Sequence, residues 1–235
     1  MNDLLETAVA AHGGLDRWNK IKSITVDASI TGAFWSHKNQ TDALKRIRFE
    51  VATTRERLTM DFIGQDKRTV FDPFRVEMQR SGGRLVEARD EPERSFDGHQ
   101  FTTPWDDLHL AYFTGEALWT YLNTPFVFTG AGFTTGEIAP IEVDGETWRR
   151  LKVTFPGHIK THTREQISCF GPDGLLRRHD FTIDILGGVP ARLYATDYRN
   201  VDGIIIPTTR HAWQDDNHVP ELPMIAIDMG QITIR

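Results

Sequence analysis

"TTPWDDLHLAYFTGEALWTYLNTP", residues 102–125, is the stretch on which the fold turns. Thr103 is placed as an N-cap, Pro104 takes the first helical position and Asp106 falls in the first turn. Leu108, Ala111, Tyr112, Leu118, Trp119 and Leu122 recur at helical spacing, and Pro125 stops the run. Phe113 and Tyr121 widen the apolar stripe. The helix predicted over 104–123 is therefore buried on more than one side. Its aromatics are expected to be core, with Trp119 a candidate for lining a ligand pocket.

Outward from this helix the period changes from helical to alternating. "SITVDASITG", "LKRIRFEVATTRERLTMDFIG" and "RVEMQRSGGRLVEARD" alternate as half-buried strands do, with Gly82-Gly83 as a hairpin turn. Beyond residue 140 the turn signals Asp144-Gly145, Pro172-Asp173-Gly174, Gly187-Gly188 and Asp202-Gly203 separate β-rich runs, the last being "MIAIDMGQITIR". At the other end, Asp3 and Glu6 open a helix that Gly13-Gly14 interrupts, and "GLDRWNKI" adds a short turn seating Trp18 and Ile21. A helical stretch is expected over 3–20. The class that follows is α+β, with one domain over 1–235. In it a single large curved antiparallel sheet, a half-barrel, wraps around one or two helices.

Hydrophobic residues make up 39% and charged residues 26%, the balance of an ordinary globular protein. A net charge of −6 and no block of basic residues argue against nucleic acid as a partner. No run approaches the roughly 20 apolar residues of a membrane helix, so no integral membrane segment is expected. "MNDLLETAVAAHGG" has neither a basic nor a continuous apolar signal region, which points to the cytoplasm unless a signal peptide has been removed. Cys169 is the one cysteine, so no internal disulfide forms. The sequence does not fix the oligomeric state.

Residues 161–181, "THTREQISCFGPDGLLRRHDF", put two histidines and three arginines around a tight turn. Turn length sets register. If Phe170 pairs with Leu175, Gln166 faces His179 and Arg164 faces Phe181. Two-residue turns at Gly187-Gly188 and Asp202-Gly203 then set Phe181 against Tyr194, Tyr194 against His211 and Arg192 against Trp213. One face collects His162, Arg164, Gln166, His179, Phe181, Tyr194, Thr196, His211 and Trp213, the makeup of a wet ligand pocket. The other carries Ile167, Cys169, Leu193, Ala195 and Ala212 among Arg178, Asp180, Asp197 and Arg210. A single bulge shifts such pairings by one and flips the face. Any one of these histidines taken alone is as well explained by cross-strand packing.

His158 and His162 are four apart, but on a strand that spans about 13 Å, too far to share one ion. No metal site is expected. Cys169 lies opposite His179 and is expected to be a buried small apolar residue rather than a nucleophile. No G-x-S-x-G, P-loop, G-x-G-x-x-G or H-E-x-x-H occurs, so no cofactor is implied.

The order of elements (helix, long antiparallel sheet, inserted aromatic helix, hairpin-rich sheet, final strand) resembles the LolA/LolB-like half-barrel. "AYFTGEALWTYLNTPF", "GETWRRLKVTFPGHIKTHTREQ" and "GPDGLLRRHDF" also resemble segments of a widespread group of bacterial proteins of this size, to which no activity attaches. The half-barrel resemblance implies an apolar cavity and a hydrophobic ligand. The chain departs from the lipoprotein carriers in showing neither an export signal nor a lipid-attachment cysteine. The expected function is binding of an amphipathic or hydrophobic small molecule that is lipid-, terpenoid- or aromatic-acid-like. His162, Arg164, Gln166, Phe181, Trp213 and Trp119 would line the site. The alternative is a cofactor-independent acid/base enzyme, an isomerase, lyase or hydrolase. In it His179 would be the general base or acid oriented by Gln166, with Tyr194 and His211 as polar partners and Arg164 holding a carboxylate or enolate oxygen.

Overall fold

The computed structural model describes residues 2–214 and 223–235. Four helices are present among them: α1 (Asp3–Ala11), α2 (Leu15–Trp18), α3 (Phe34–His37) and α4 (Asp107–Asn123). The strands are β1 (Ser23–Thr31), β2 (Ile47–Ala52), β3 (Leu58–Phe62), β4 (Arg68–Asp72), β5 (Arg75–Gln79) and β6 (Leu85–Asp90) before α4. After it come β7 (Thr134–Val143), β8 (Glu146–Thr154), β9 (Glu165–Phe170), β10 (Leu176–Ile183), β11 (Val189–Val201), β12 (Ile204–Trp213) and β13 (Ile225–Ile234).

All thirteen strands form one antiparallel sheet, in the order β6-β5-β4-β3-β2-β1-β13-β12-β11-β10-β9-β8-β7. The first six strands run outward to one edge. The chain then crosses through α4 to the opposite edge and meanders back until β13 pairs with β1. At about 1.5 Å per residue the seventeen residues of α4 span roughly 25 Å, enough to cover the concave face. The sheet curves around this helix as a half-barrel, and buried residues alternate along its strands, as over Leu58, Met60 and Phe62 of β3 and Thr208, Arg210 and Ala212 of β12.

The helix starts later than its sequence suggests. Asp106, not Thr103, is the N-cap, because its carboxylate accepts the N–H groups of both Leu108 and His109. The stretch over 3–20 is divided: Asn2 caps α1 through the Leu5 N–H, and α2 follows after Gly13-Gly14. At Gly13 a Cβ would lie 2.2 Å from the Gly203 carbonyl, so only glycine lets α1 dock on the β11–β12 turn.

α4 packs chiefly on β4 and β5. Gly115 permits the contact, since a Cβ there would meet the Phe71 ring at 2.2–2.7 Å. The C-terminal end is closed from the far half of the sheet. The Tyr121 carbonyl would ordinarily accept the N–H of residue 125, but Pro125 has none. Arg210 of β12 donates to that carbonyl instead, at 3.1 Å, and to the Pro207 carbonyl at 2.7 Å. A guanidinium only 1% exposed is thus held at the negative end of the helix dipole. Burial lowers its pKa to about 10, still leaving it charged at neutral pH.

Candidate functional site

Because α4 leans on the first half of the sheet, space remains between it and β10–β13. Phe113, Thr114, Ala117, Leu118 and Tyr121 on the helix face Ile183, Ala191, Leu193, Ala212, Ile225 and Ile227 across an apolar cavity of about 40 Å³. Ile30, Trp35, Phe181 and His162 complete its wall. A second space of about 40 Å³ shares Ile183, Ala191, Ala212 and Ile225 with it and extends toward Phe34, Phe101 and Leu186. These four residues form the wall the two spaces share, and Trp213 borders the second.

The polar groups gather at one end. His162 is 5% exposed and its imidazole lies between the rings of Phe113 (4.9 Å between centroids) and Phe181 (4.7 Å). Its Nδ1 is 2.8 Å from Oε1 of Glu116, and its Nε2 is 3.2 Å from the Tyr121 hydroxyl. The result is a buried line of carboxyl, imidazole and phenol. Burial pushes the Glu116 carboxyl above the usual carboxylate range, against the hydrogen bond to His162 that pulls it down. Burial likewise raises the Tyr121 hydroxyl.

His162 arrives from a loop, not a strand, since β9 begins only at Glu165. Strand alternation does not reach residues 162–164, and that is why Arg164 is not in the cavity. It is exposed, with Nε donating to the Phe155 carbonyl at 3.2 Å. Gln166 is buried, but its amide donates to Thr161 Oγ1 at 2.7 Å and to the Thr163 carbonyl at 2.8 Å. It therefore clamps both neighbours of His162 rather than orienting His179.

His179 pairs with Ser168, two residues away from the expected Gln166, because Phe170 pairs with Leu176 rather than Leu175 and a bulge between Leu176 and Arg178 adds one more. A shift of two restores the face, so His179 and Phe181 point inward and Asp180 outward. Phe181 lines the cavity, whereas His179 lies below it, 1% exposed and against Tyr121 and Phe181. Its Nε2 meets no hydrogen-bond partner among the described residues. Burial lowers its pKa to about 3, with the nearby His162 and Arg210 adding to the effect. A group so firmly neutral is a poor acid at physiological pH.

The Gly187-Gly188 connection is longer than two residues. A 3-10 turn at Asp184–Leu186 precedes the glycines, and Ile183 pairs with Val189. Tyr194 consequently pairs with Arg178 instead of Phe181, a shift of three, and an odd shift turns the strand over. The expected pairs of Tyr194 with His211 and Arg192 with Trp213 do form, but all four side chains sit on the convex face. There Tyr194 stacks edgewise between Trp148 and Trp213 and under the Arg178 guanidinium, which is itself fixed on Asp180. Leu193, Ala195, Arg210 and Ala212 face inward in their place. Cys169 is buried opposite His179, and burial pushes its thiol up to about 12.

Trp119 is buried, yet on another side of α4. Its Nε1 donates to the carbonyls of Ala52 and Arg55, both at 2.9 Å. With Trp18, Phe126 and His158 it borders a separate recess of about 670 Å³. Glu116 carried no expectation, although one signal was available. It is the sole charged residue between Asp107 and Pro125 apart from His109, on a helix apolar all round. A buried carboxyl requires a partner. Among the described residues no three His, Cys, Asp or Glu side chains lie together to hold a metal ion, and no helix is long and apolar enough to cross a membrane.

Neither a protein-family model nor a curated protein matches the chain. Solved structures do. A LolA superfamily protein from Nitrosomonas europaea superposes with a TM-score of 0.53 at 10% identity, over 99% of this chain and 92% of that one. The chain has a LolA-like fold. A putative outer membrane lipoprotein-sorting protein domain from Vibrio parahaemolyticus is similar to it at a TM-score of 0.50 and 9% identity, over 99% and 91% of the two chains. At such identities the likeness is one of fold, and the site of this LolA-like chain rests on its own residues.

Proposed function

We propose that this protein binds a small hydrophobic or amphipathic molecule between α4 and strands β10–β13. One observation carries the reading: an interior cavity walled mostly by aliphatic and aromatic groups, whose polar lining is Thr114, Tyr121 and the Glu116-paired His162. Buried sites that take small ligands have this composition, mostly apolar with a few placed polar groups. The unfilled space is small, so a ligand of lipid or terpenoid size would part the walls that the two adjoining spaces share. With Arg164 outside, no cation lines the cavity, and an aromatic acid fits less well than a neutral molecule. A cytoplasmic setting belongs to the same proposal, as Cys169 is the one cysteine and folding draws on no disulfide.

Acid–base catalysis is a second reading, favoured by the same buried line, which is laid out to pass a proton to an oxygen atom at Tyr121. Native mass spectrometry of the purified protein tests the first. A co-purifying apolar molecule at up to one per chain is expected. A tightly bound metal or nucleotide in its place would contradict it.

A further inference from the structure

Three polar side chains line the cavity, Thr114, Tyr121 and His162, and their hydrogens are not equally available. Thr114 Oγ1 donates to the Leu110 carbonyl at 2.7 Å, so its proton is committed within the helix. What Tyr121 can offer depends on the other two members of its line. The whole group is buried, and an uncompensated charge there is expensive. Two protonation patterns without net charge leave the Tyr121 hydrogen available. In one, a protonated Glu116 donates to His162 Nδ1; in the other, a carboxylate accepts from an imidazolium. Both place a hydrogen on Nε2, aimed 3.2 Å away at the Tyr121 oxygen. In both, the phenol accepts from His162 and keeps its own O–H free. The net anionic pattern reverses this, because Nδ1–H then donates to a carboxylate and Nε2 takes the Tyr121 proton; a neutral pattern with the acid proton on the Glu116 oxygen facing Tyr112 reverses it too.

From this arrangement we infer that the ligand carries a carbonyl oxygen, of a ketone, ester or amide, that accepts a hydrogen bond from Tyr121. The inference rests on the reading of the cavity as a hydrophobic-ligand site. A carboxylate is disfavoured because no Lys or Arg lines the wall. A hydrocarbon would leave the Tyr121 hydroxyl without a use. Loss of the shared proton converts Tyr121 from donor to acceptor, so carbonyl binding weakens as pH rises, while an alcohol, which can donate, does not lose its bond. Of the groups facing the line, only Tyr112 bears on which oxygen of Glu116 holds the acid proton. Tyr112 on α4 lies beside Glu116, and Glu93 is paired with Lys160. Glu56 is held mostly neutral by burial, His179 is neutral, and Arg210 is engaged with main-chain carbonyls.

The test uses three probes of nearly equal size, cyclohexane, cyclohexanone and cyclohexanol, titrated into the full-length protein and followed by NMR shifts of cavity methyl groups. At neutral pH the ketone is expected to bind about five- to tenfold tighter than the hydrocarbon, the value of one hydrogen bond. That advantage should disappear in Tyr121→Phe, and in wild type it should shrink at alkaline pH while the alcohol keeps its own. Glu116→Gln cannot ionise, so it should bind the ketone with no alkaline loss; this variant also serves if Tyr121→Phe does not fold. Equal affinity for ketone and hydrocarbon in wild type would overturn the carbonyl inference and leave the apolar site standing. No binding of any of the three would remove the reading beneath it.

Discussion

Glu116 and His162 meet at 2.8 Å in the interior of the molecule, with side-chain exposures of 1% and 4%, although they stand 46 positions apart in sequence. One sits on the covering helix and the other on the loop that leads into β9. Their contact ties α4 to the second half of the sheet at the polar end of the cavity.

The pair should be energetically coupled. Removing one partner strands the other in an apolar setting, while removing both does not. In a double-mutant cycle of Glu116→Gln and His162→Asn, measured by urea unfolding, the coupling is expected to be about 1–3 kcal/mol. Effects that add to within about 0.5 kcal/mol would mean the contact is incidental.

Trp119 is a structural residue here. Trp119→Ala should cost roughly 3–5 kcal/mol through the cavity it leaves. Trp119→Phe should still cost about 1–3 kcal/mol, because Nε1 serves the carbonyls of Ala52 and Arg55 at the β2–β3 turn. A loss under about 1 kcal/mol for the alanine variant would place the indole at an open wall.

Stability should peak near neutral to slightly acidic pH. Glu56 accepts the Lys160 N–H, and burial pushes its pKa from the usual 4.5 up to about 9. Between those values the folded state holds a proton that the unfolded chain has released, so stability falls as pH rises. His179 and His12 are lowered by burial from 6.5 to about 3 and about 4. Below 6.5 the unfolded chain binds protons the folded one refuses, so stability is also lost as pH falls. Unfolding free energies from pH 4 to 9 should therefore trace a maximum at about 6.5, and Glu56→Gln should flatten the alkaline side. A profile still rising to pH 9 in wild type would refute the assignment.

The convex cluster should be silent in cavity binding. Tyr194→Phe and His211→Ala are expected to change the affinity for an apolar probe by less than about twofold, since neither residue lines either space. A tenfold loss in either of them would move the site to the outer face.

The covering helix and the hairpin-rich sheet were legible because they rest on local rules: helical spacing from Leu108 to Leu122, and turn residues that accept positive φ. The LolA-like half-barrel followed from the order of those elements. Faces were legible only where the count of turn residues was right. His179 and Phe181 point inward because two single-residue shifts, one in the turn and one at the bulge after Leu176, add to an even number. Tyr194, His211 and Trp213 turned outward together because the 3-10 turn at Asp184–Leu186 shifts it by an odd one. Glu116 was hidden for another reason. Its partner lies far along the chain, on a loop whose path no periodicity records, and is held there by Gln166 and by the Asp184 N–H donating to the His162 carbonyl.

Calorimetric titration with benzene tests the central claim most directly: benzene is larger than either space of about 40 Å³, so it binds only if the wall they share parts as proposed. Three proteins are compared: wild type, Ala191→Met, which fills the space between α4 and β11, and Leu193→Ala, which enlarges it. Saturable one-to-one binding is expected in wild type, at least about tenfold weaker binding in the filled variant and tighter binding in the enlarged one. Benzene affinity unchanged in a folded Ala191→Met protein would contradict the account.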